Sequence, residues 1–387
     1  MSAQEQFSIA HTEASNGWGG QEIRTLTEAA GFIARGHRVV VYATDDARIL
    51  AEAPRFGVPA VALPIGRKGI RGVRALLRAF SHERFDVVNA HSSTDAWLAA
   101  IALNWLRVRR REHPVLVRTR HVSIAIPNDP ATRWLYRRAT SRIVTTGDAL
   151  RAQLIRDNGI DPDRIESVPT GIDMARFEPR DRAAARDAVG LPADVPLIGI
   201  VATLRSWKGH RYLLNAMTRI TRRDARLVVV GDGPQREALE AQRDALGLRD
   251  RVFFAGLQQD VSAWIAAFDL FALPSYANEG VPQALLQAMA MGTPPVTTAV
   301  GAIPEIARDG ETALIVPPED SPALARAIDR LLGDAMLRER LGAAARSFVV
   351  PRHGMHAMLD RMESVFRAAL DERTQTARLK QPSSALR

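Results

Sequence analysis

Residues 273–296 read L-P-S-Y-A-N-E-G-V-P-Q-A-L-L-Q-A-M-A-M-G-T-P-P-V, and no other segment is as informative about the fold. The apolar run that ends at Leu273 predicts a buried strand. A helix is predicted to follow, with Pro282 at its first position, where a missing N–H costs nothing, and with Gly292 at its end. The stretch therefore predicts a strand, a loop and a helix in that order, which is the repeating unit of an α/β sheet.

Glu279 lies in the loop of this unit, beside the free backbone amides of Gly280 and Val281. A helix N-terminus carries partial positive charge and unpaired N–H donors, so it is suited to bind a phosphate group. Ligands of open α/β sheets bind at this position, outside the carboxyl ends of the strands. The loop is thus a candidate ligand site, and the alternative is an ordinary connection with an exposed glutamate.

Apolar, β-rich runs alternate with helical patterns along the whole chain, and this alternation predicts the α/β fold class. Strands rich in valine and isoleucine form parallel sheets that are covered on both faces. Two sets of about six strands predict two doubly wound, Rossmann-like domains rather than one barrel. The predicted strands are 7–11, 39–43, 60–63, 87–90, 116–119, 142–145, 197–202, 226–230, 252–255, 270–273, 295–298 and 313–316.

The chain is long enough for two domains, and an irregular, proline-flanked segment at residues 169–181 predicts the boundary between them. We expect an N-terminal domain at residues 1–178 and a C-terminal domain at 179–355. A strongly patterned helix at 356–371 is expected to pack back on the N-terminal domain. Residues 372–387 are expected to form a disordered tail.

The composition excludes several classes of protein. With no cysteine in 387 residues, disulfides and thiolate metal sites are ruled out. No apolar run approaches the length of a membrane-spanning helix, and the N-terminal residues lack the basic and apolar regions of a signal peptide. We therefore expect a cytoplasmic protein, with peripheral attachment to the inner face of the plasma membrane as an open alternative.

The formal net charge is +9, and part of it is concentrated around one predicted amphipathic helix. An anionic membrane surface is one partner for such a cationic face, and a solvated helix face is the plainer alternative. Nucleic acid is not expected, because no nucleic-acid motif accompanies the charge. The basic residues are Arg67, Lys68, Arg71, Arg74 and Arg78. The opposing apolar face is expected to consist of Ile70, Val73, Leu76, Leu77 and Phe80.

Three other predicted strand ends carry residues that suit a nucleotide. Gly19 and Gly20 follow the first strand and would let the backbone approach a ligand closely. Arg205 and Lys208 follow the first strand of the C-terminal domain, where two cations could clamp a diphosphate. Gly233 lies in the glycine-rich turn V-V-V-G-D-G-P. Each feature alone also fits an ordinary loop, so the prediction depends on their combination.

The order of these motifs resembles that of the retaining GT-B glycosyltransferases of family 4. The shared motifs include R-x-x-K-G, V-V-G-D-G-P, L-P-S-x-x-E-G, A-M-A-x-G-x-P and G-x-x-A-L-I-V-P-P, and the resemblance covers roughly residues 7–370. It implies a nucleotide-sugar donor held mainly by the C-terminal domain, an acceptor in the N-terminal domain and catalysis in the cleft between them. It implies no cofactor and no metal ion.

The resemblance gives donor-binding roles to residues of the opening stretch. Glu279 matches the first glutamate of the family's E-x7-E element, which contacts hydroxyl groups of the donor sugar. The second glutamate falls on Gln287, which still hydrogen-bonds a ribose diol but accepts less strongly than a carboxylate. Gly280 and Val281 match the backbone that meets phosphate and sugar.

Further positions of the family's site match residues elsewhere in the chain. Lys208 matches the phosphate-clamping lysine. The family's arginine lies five residues ahead of that lysine, where this chain has Thr203, so Arg205 is the expected substitute. The other donor-binding positions are Gly19, Gly20, Gly233 and Leu257. For the active-site histidine, His91 and His121 both follow strands; His121 is favoured because the family's histidine most often follows the later strand.

The resemblance thus predicts a retaining, metal-independent, hexosyl-type glycosyltransferase. It would move a sugar from a nucleotide-sugar donor to a glycan or lipid-linked acceptor in bacterial envelope polysaccharide or lipopolysaccharide synthesis. The predicted catalytic residues are Glu279, His121, Arg205 and Lys208. A catalytically weakened nucleotide-sugar-binding protein, motivated by Gln287, and a sugar-nucleotide epimerase on the same fold are the alternatives.

Overall fold

The computed structural model describes residues 6–122 and 124–379, and the chain divides into two compact units. The first unit is Met1–Pro169 together with His356–Arg387, and the second is Thr170–Met355. Each unit has its own parallel sheet, so the predicted α/β fold class with two Rossmann-like domains is confirmed.

The first unit contains a sheet of seven parallel strands, connected by helices. The strands are β1 (Ser8–Glu13), β2 (Arg38–Ala43), β3 (Ala60–Ala62), β4 (Val87–Ala90), β5 (Val115–Arg120), β6 (Arg142–Thr145) and β7 (Ile165–Ser167), in the order β3-β2-β1-β4-β5-β6-β7. The helices are α1 (Gly20–Ala34), α2 (Arg48–Glu52), α3 (Ile70–His82), α4 (Ser93–Val108), α5 (Pro130–Trp134) and α6 (Asp148–Asn158). Strands β1, β4 and β5 are adjacent, so their carboxyl ends share one stretch of the sheet edge.

The second unit contains a sheet of six parallel strands. Its helices are α7 (Arg182–Ala188), α8 (His210–Met217), α9 (Arg236–Ala245), α10 (Ser262–Ala267), α11 (Gln283–Ala290), α12 (Ser321–Gly333) and α13 (Ala335–Val349). Its strands are β8 (Leu197–Val201), β9 (Arg226–Val230), β10 (Val252–Gly256), β11 (Leu270–Leu273), β12 (Pro295–Thr298) and β13 (Leu314–Val316), in the order β10-β9-β8-β11-β12-β13. Strand β11, which leads into the opening stretch of sequence, is buried along its whole length.

The structure places the unit boundary after Pro169 rather than after residue 178. Ile172 and Phe177 are buried in the core of the second unit, and the amide of Ile172 donates to the carbonyl of His353 at 2.8 Å. These long-range contacts have no local sequence signal. Strand β7 was also not predicted, because three residues are too few to display a strand period.

The predicted disordered tail is wrong for residues 372–379, which continue the last helix, α14 (Met355–Leu379). Arg142 pairs with Glu372, and the guanidinium of Arg373 donates to the carbonyl of His113 at 2.9 Å. These bonds hold the start of the expected tail against the first unit. Residues 380–387 lie outside the described residues.

Helix α14 packs on α1 within the first unit. The rings of Phe366 and Phe32 lie 5.5 Å apart between centroids. A Cβ on Gly31 would lie 2.5 Å from the side chain of Leu359, so the glycine allows the two helices to approach closely.

The predicted basic residues are all exposed, on α3 and in the loop before it. Leu76 and Phe80 are buried as expected, because α3 packs on α4. Ile70 was expected on the buried face but is 67% exposed, because it is the first residue of α3. Among the described residues, no helix combines the length and the apolar character needed to cross a membrane.

Candidate active site

The loops that follow β8 and β11 are fixed against each other at the carboxyl edge of the second sheet. Gly209 has a left-handed φ of 77°, and a Cβ there would lie 1.9 Å from the carbonyl oxygen of Pro274. The amide of Tyr276 donates to the carbonyl of Trp207 at 2.9 Å. A glycine is needed for both the conformation and the close contact.

The turn after β9 is attached to the same edge through Leu204. The amide of Leu204 donates to the carbonyl of Asp232, and the amide of Gln235 donates to the carbonyl of Leu204, each at 3.0 Å. Gly233, with a φ of 158°, lies so close that a Cβ would be 2.9 Å from the Leu204 backbone. The predicted residue Gly233 therefore shapes the edge by close backbone packing.

This arrangement brings Lys208 into contact with Glu279. The Nζ atom of Lys208 donates to Oε1 of Glu279 at 2.7 Å and to Oε2 at 2.9 Å. The hydroxyl of Ser275 donates to Oε1 at 2.6 Å. The Glu279 side chain is 4% exposed and that of Lys208 is 20% exposed, so the pair is mostly buried but has an open side.

The pair keeps capacity for a ligand. An ammonium group has three donors and a carboxylate has about four acceptor positions. Within the described part of the chain, Lys208 uses two donors on Glu279, and Glu279 accepts two bonds from Lys208 and one from Ser275. One N–H of Lys208 and one acceptor position of Glu279 therefore remain available.

The backbone of Glu279 is held as firmly as its side chain. Gly301, with a φ of 57°, lies so close that a Cβ would be 2.0 Å from the carbonyl oxygen of Glu279. The same oxygen accepts from the amide of Ala302 at 3.3 Å. The preceding residue, Asn278, has a left-handed φ of 59°, which asparagine tolerates better than most residues.

Helix α11 begins one residue later than predicted. Pro282 is its N-cap, with an extended ψ of 121°, because the fixed φ of proline fits a cap as well as a first turn. Gly280 and Val281 are buried immediately ahead of the helix. Gln287, on the same helix, is 8% exposed, and its side chain has no hydrogen bond to another described residue.

Arg205 and Leu257 lie at this edge, but within the described residues neither side chain hydrogen-bonds to the side chain of Lys208 or Glu279. The exposed guanidinium of Arg205 lies 5.4 Å from the centroid of the Trp207 ring. Leu257 directly follows β10 and is partly buried.

The predicted residues of the first unit lie at the carboxyl edge of the other sheet. Gly19 is the N-cap of α1 and accepts from the amide of Ile23 at 3.0 Å, and Gly20 is the first residue of that helix. His121 follows β5 and is partly exposed.

His121 is the outer member of a chain of three imidazole rings. Its Nε2 lies 3.0 Å from Nδ1 of His91, and Nε2 of His91 lies 2.8 Å from Nδ1 of His11. The rings are stacked, with centroids 5.3 and 5.1 Å apart. The two histidines between which the sequence left a choice are thus in direct contact, and His121 is the more exposed of them.

Burial keeps these three rings neutral near pH 7. It lowers the pKa of His11 to about 3. It also lowers the pKa of His91 and that of His121 well below the usual value, and the charges of nearby arginines, including Arg24 and Arg118, act in the same direction.

Asp95 holds the loop that carries His91. Its Oδ2 accepts from the hydroxyl of Thr12 at 2.8 Å and from the amide of His91 at 3.0 Å. Its Oδ1 accepts from the amide of Ser92 at 2.9 Å, as part of the capping box that starts α4. Burial raises the pKa of Asp95 and raises that of nearby Glu13 well above its usual range.

Sequence reasoning missed Ser275, His11 and Asp95. A capping-box pattern at Ser92–Asp95 was present as a signal, and so was a histidine within an apolar strand. Ser275 had no signal beyond its place in the L-P-S motif. Within residues 6–122 and 124–379, no three histidine, aspartate or glutamate side chains are grouped so that they could hold a metal ion.

The chain matches the sequence models of two glycosyltransferase families. Residues 18–176 match Glycosyltransferase Family 4, and residues 195–334 match Glycosyl transferases group 1. A D-inositol 3-phosphate glycosyltransferase of Xylanimonas cellulosilytica is 30% identical over 373 residues, which cover 85% of this chain and 87% of the relative.

Two solved structures share the fold. Anabaena HepE, solved in complex with UDP and glucose, has a TM-score of 0.82 at 22% identity, covering 94% of this chain and 100% of that chain. WaaG, described as a glycosyltransferase involved in lipopolysaccharide biosynthesis, has a TM-score of 0.69 at 21% identity, covering 92% and 99%.

Two parallel-sheet, Rossmann-like units of this kind make up the GT-B fold. The chain belongs to the group 1, family 4 glycosyltransferases, which use a nucleotide-linked sugar as donor.

Proposed function

We propose that the enzyme transfers a hexosyl group from a nucleoside diphosphate sugar with retention of anomeric configuration and without a metal ion. We further propose that its acceptor is a glycan or lipid-linked precursor of bacterial envelope polysaccharide or lipopolysaccharide. The observation that carries the proposal is the Lys208–Glu279 pair, which offers a cationic donor and a carboxylate acceptor side by side.

Each partner has a distinct role in this proposal. The remaining acceptor position of Glu279 would take a hydroxyl group of the donor sugar. The remaining N–H of Lys208 would donate to an oxygen of the diphosphate. Ser275 keeps the carboxylate oriented while the sugar enters.

The leaving group needs electrostatic stabilisation. When the sugar–phosphate bond breaks, its electron pair leaves with the diphosphate, and positive character develops on the sugar. Lys208 and the amides at the start of α11 would stabilise the departing charge in a mostly buried setting. Arg205 would add a second cation by turning from the Trp207 ring toward the phosphate, and these charges together would take the place of a divalent ion.

The acceptor class is proposed from the surface of the first unit. Its exposed cationic residues on and before α3 would hold the protein against an anionic leaflet, where lipid-linked acceptors are found. The resemblance in fold to WaaG is compatible with this acceptor class. Peripheral binding at the inner face of the plasma membrane is part of the same proposal.

A second acceptor candidate is a small phosphorylated polyol. It is favoured by the 30% identity to a D-inositol 3-phosphate glycosyltransferase along most of both chains. This candidate needs no membrane surface.

The donor is tested first, by a thermal-shift screen against UDP, GDP and ADP sugars. A ligand that binds only the folded protein raises the melting temperature of the protein by an amount set by the affinity, so the correct nucleotide should give the largest increase. Turnover with that donor is then followed by NMR, which reports the anomeric configuration of the product, with and without a metal chelator. Inversion of configuration, or loss of activity on chelation, would contradict the proposal.

The same turnover assay tests the site residues and distinguishes a transferase from the alternative functions. Glu279→Ala and Lys208→Ala should each reduce transfer to near background, whereas Arg222→Ala, which opens an exposed ion pair of the same unit, should not. Tight donor binding without transfer to any acceptor would favour a nucleotide-sugar-binding protein. Conversion of the donor in the absence of an acceptor would favour an epimerase.

The acceptor is tested by offering a lipid-linked glycan precursor and inositol phosphate in parallel. Vesicle sedimentation with anionic lipid then tests the membrane surface. Charge reversal of three α3 arginines should weaken vesicle binding, and the same reversal at three exposed arginines of the second unit should not. The test set is Arg71, Arg74 and Arg78, and the control set is Arg219, Arg223 and Arg226. Equal vesicle binding by both variants would show that α3 is an ordinary solvated helix face with no role in membrane binding.

A further inference from the structure

The hydrogen bonds between the three histidines of the first unit restrict which nitrogen of each ring carries the proton. The rings of His121, His91 and His11 are connected in series, Nε2 to Nδ1 at 3.0 Å and again Nε2 to Nδ1 at 2.8 Å. A neutral imidazole has one N–H and one bare nitrogen. Each ring-to-ring hydrogen bond therefore needs a donor on one ring and an acceptor on the next.

Only two proton arrangements satisfy both bonds when all three rings are neutral. In the first, every ring is protonated at Nδ1, and the bonds run from His11 to His91 and from His91 to His121. In the second, every ring is protonated at Nε2, and the bonds run in the opposite direction. The tautomer of the exposed ring is therefore coupled to that of the innermost ring.

The inner end of the chain decides between the two arrangements. Nε2 of His11 is buried and has no hydrogen-bond partner among the described residues. The second arrangement would leave a buried N–H donor without an acceptor there, and such orphaned donors are rarer in folded proteins than bare acceptors. The first arrangement leaves only a bare lone pair at that position.

We propose that His11 and His91 are positioning residues that hold His121 as the tautomer protonated at Nδ1. The Nδ1 atom of His121 has no hydrogen-bond partner among the described residues, and the side chain is partly exposed. His121 thus offers an N–H donor to an oxygen of the sugar substrates. It is not a general base, because its other nitrogen is occupied by the bond from His91. The role toward substrate rests on the proposed function, whereas the tautomer is a property of the free protein.

The tautomers are measured directly in the full-length protein labelled with ¹⁵N-histidine. Long-range ¹H–¹⁵N correlation spectra at pH 7 distinguish the protonated from the bare nitrogen of each ring. His121→Gln assigns the signals of the outer ring. We expect protonation at Nδ1 in His121, His91 and His11. Protonation of His121 at Nε2 in the wild-type protein would overturn the proposal without any further variant.

Two matched substitutions then test whether His11 is the cause. His11→Asn keeps a donor at nearly the same distance from the backbone as Nδ1, and it should preserve the His121 tautomer. His11→Asp has the same size as that variant but presents carboxylate acceptors to Nε2 of His91, so it should reverse both hydrogen bonds and leave His121 protonated at Nε2. His82→Gln, at an exposed position, is the control and should change nothing. An unchanged His121 tautomer in His11→Asp would show that the chain does not set it.

The kinetic consequence follows if the enzyme transfers sugar as proposed. Loss of the oriented N–H donor of His121 should reduce turnover by about 3- to 10-fold in His11→Asp, whereas His11→Asn should keep wild-type turnover. Equal loss in both would contradict the positioning role. Absence of transfer in the wild-type protein would refute the proposed function and leave the spectroscopic result to decide the tautomer.

Discussion

Replacing Lys208 by methionine should destabilise the second unit more than the loss of an ordinary surface ion pair. The change keeps most of the side-chain volume but removes the charge that faces Glu279. The carboxylate is 4% exposed and would keep one described hydrogen bond, from Ser275. A buried charge that has lost its partner typically costs about 3–5 kcal/mol.

The expected cost of Lys208→Met is at or below the lower limit of that range. The Lys208 side chain is 20% exposed, so water can enter from the side that it leaves and partly solvate the carboxylate. We expect a loss of about 2–3 kcal/mol in the free energy of unfolding. Glu279→Gln should cost only about 1 kcal/mol, since the ammonium of Lys208 can turn toward solvent.

The double variant distinguishes this explanation from a simple loss of contacts. With both charges removed, no unpaired buried charge remains, so Lys208→Met/Glu279→Gln should be more stable than Lys208→Met alone by about 1–2 kcal/mol. Arg222→Met is the matched control, because its pair with Asp224 has an N–O distance of 2.8 Å and side chains 48% and 47% exposed. Its cost should be clearly smaller than that of Lys208→Met, because solvent screens an exposed pair.

Urea unfolding followed by tryptophan fluorescence measures these differences, with one transition fitted for each unit. If Lys208→Met cost no more than Arg222→Met, the loss would not come from an unpaired buried charge. A double variant less stable than Lys208→Met would contradict the same explanation.

Three further outcomes are expected. An alanine in the left-handed conformation costs about 1–2 kcal/mol of stability. Gly209→Ala should cost more than that in the same urea assay, because its Cβ would also clash with the Pro274 carbonyl. Gly190→Ala, at a φ of 67° with open space around it, should show only the smaller loss. Gln287→Glu should bind the identified donor nucleotide about fivefold more tightly by calorimetry, since a carboxylate accepts about 1 kcal/mol more strongly; unchanged affinity would remove Gln287 from the ribose contact. Burial raises the folded-state pKa of Glu13 above its unfolded value. The contribution of Glu13 to the free energy of unfolding is therefore fully present at low pH and is lost as the pH rises from about 4.3 toward the raised pKa. The melting temperature of Glu13→Gln relative to wild type should therefore be higher at pH 8 than at pH 5, and a reversed trend would contradict the assignment.

Local patterns in the sequence predicted most of the architecture. Alternating apolar runs and helical periods located twelve of the thirteen strands among the described residues, because strand and helix periods are visible within a few residues. They missed β7, which is too short to show a period. They also placed the tail and the unit boundary incorrectly, because the contacts that decide both are made with distant residues.

The candidate site was predicted unevenly for the same reason. Lys208 and Glu279 were identified from motifs, and the structure brings them into direct contact although they are 71 positions apart. Arg205 was expected to act beside Lys208, but its side chain lies on Trp207 in the free protein. His91 and His121 were treated as competing candidates, although they belong to one cluster with His11.

The α/β class, the two-domain plan and the charged residues at the strand ends could therefore be predicted without the structure. Those features depend on residue type and spacing along the chain. The structure was needed to show that Ser275 orients Glu279, that residues 170–178 belong to the second unit and that three histidines form one chain. The first depends on the conformation of one loop, and the second depends on contacts with distant core residues. The third depends on strand order, because the order β1-β4-β5 brings together rings that are 80 and 30 positions apart.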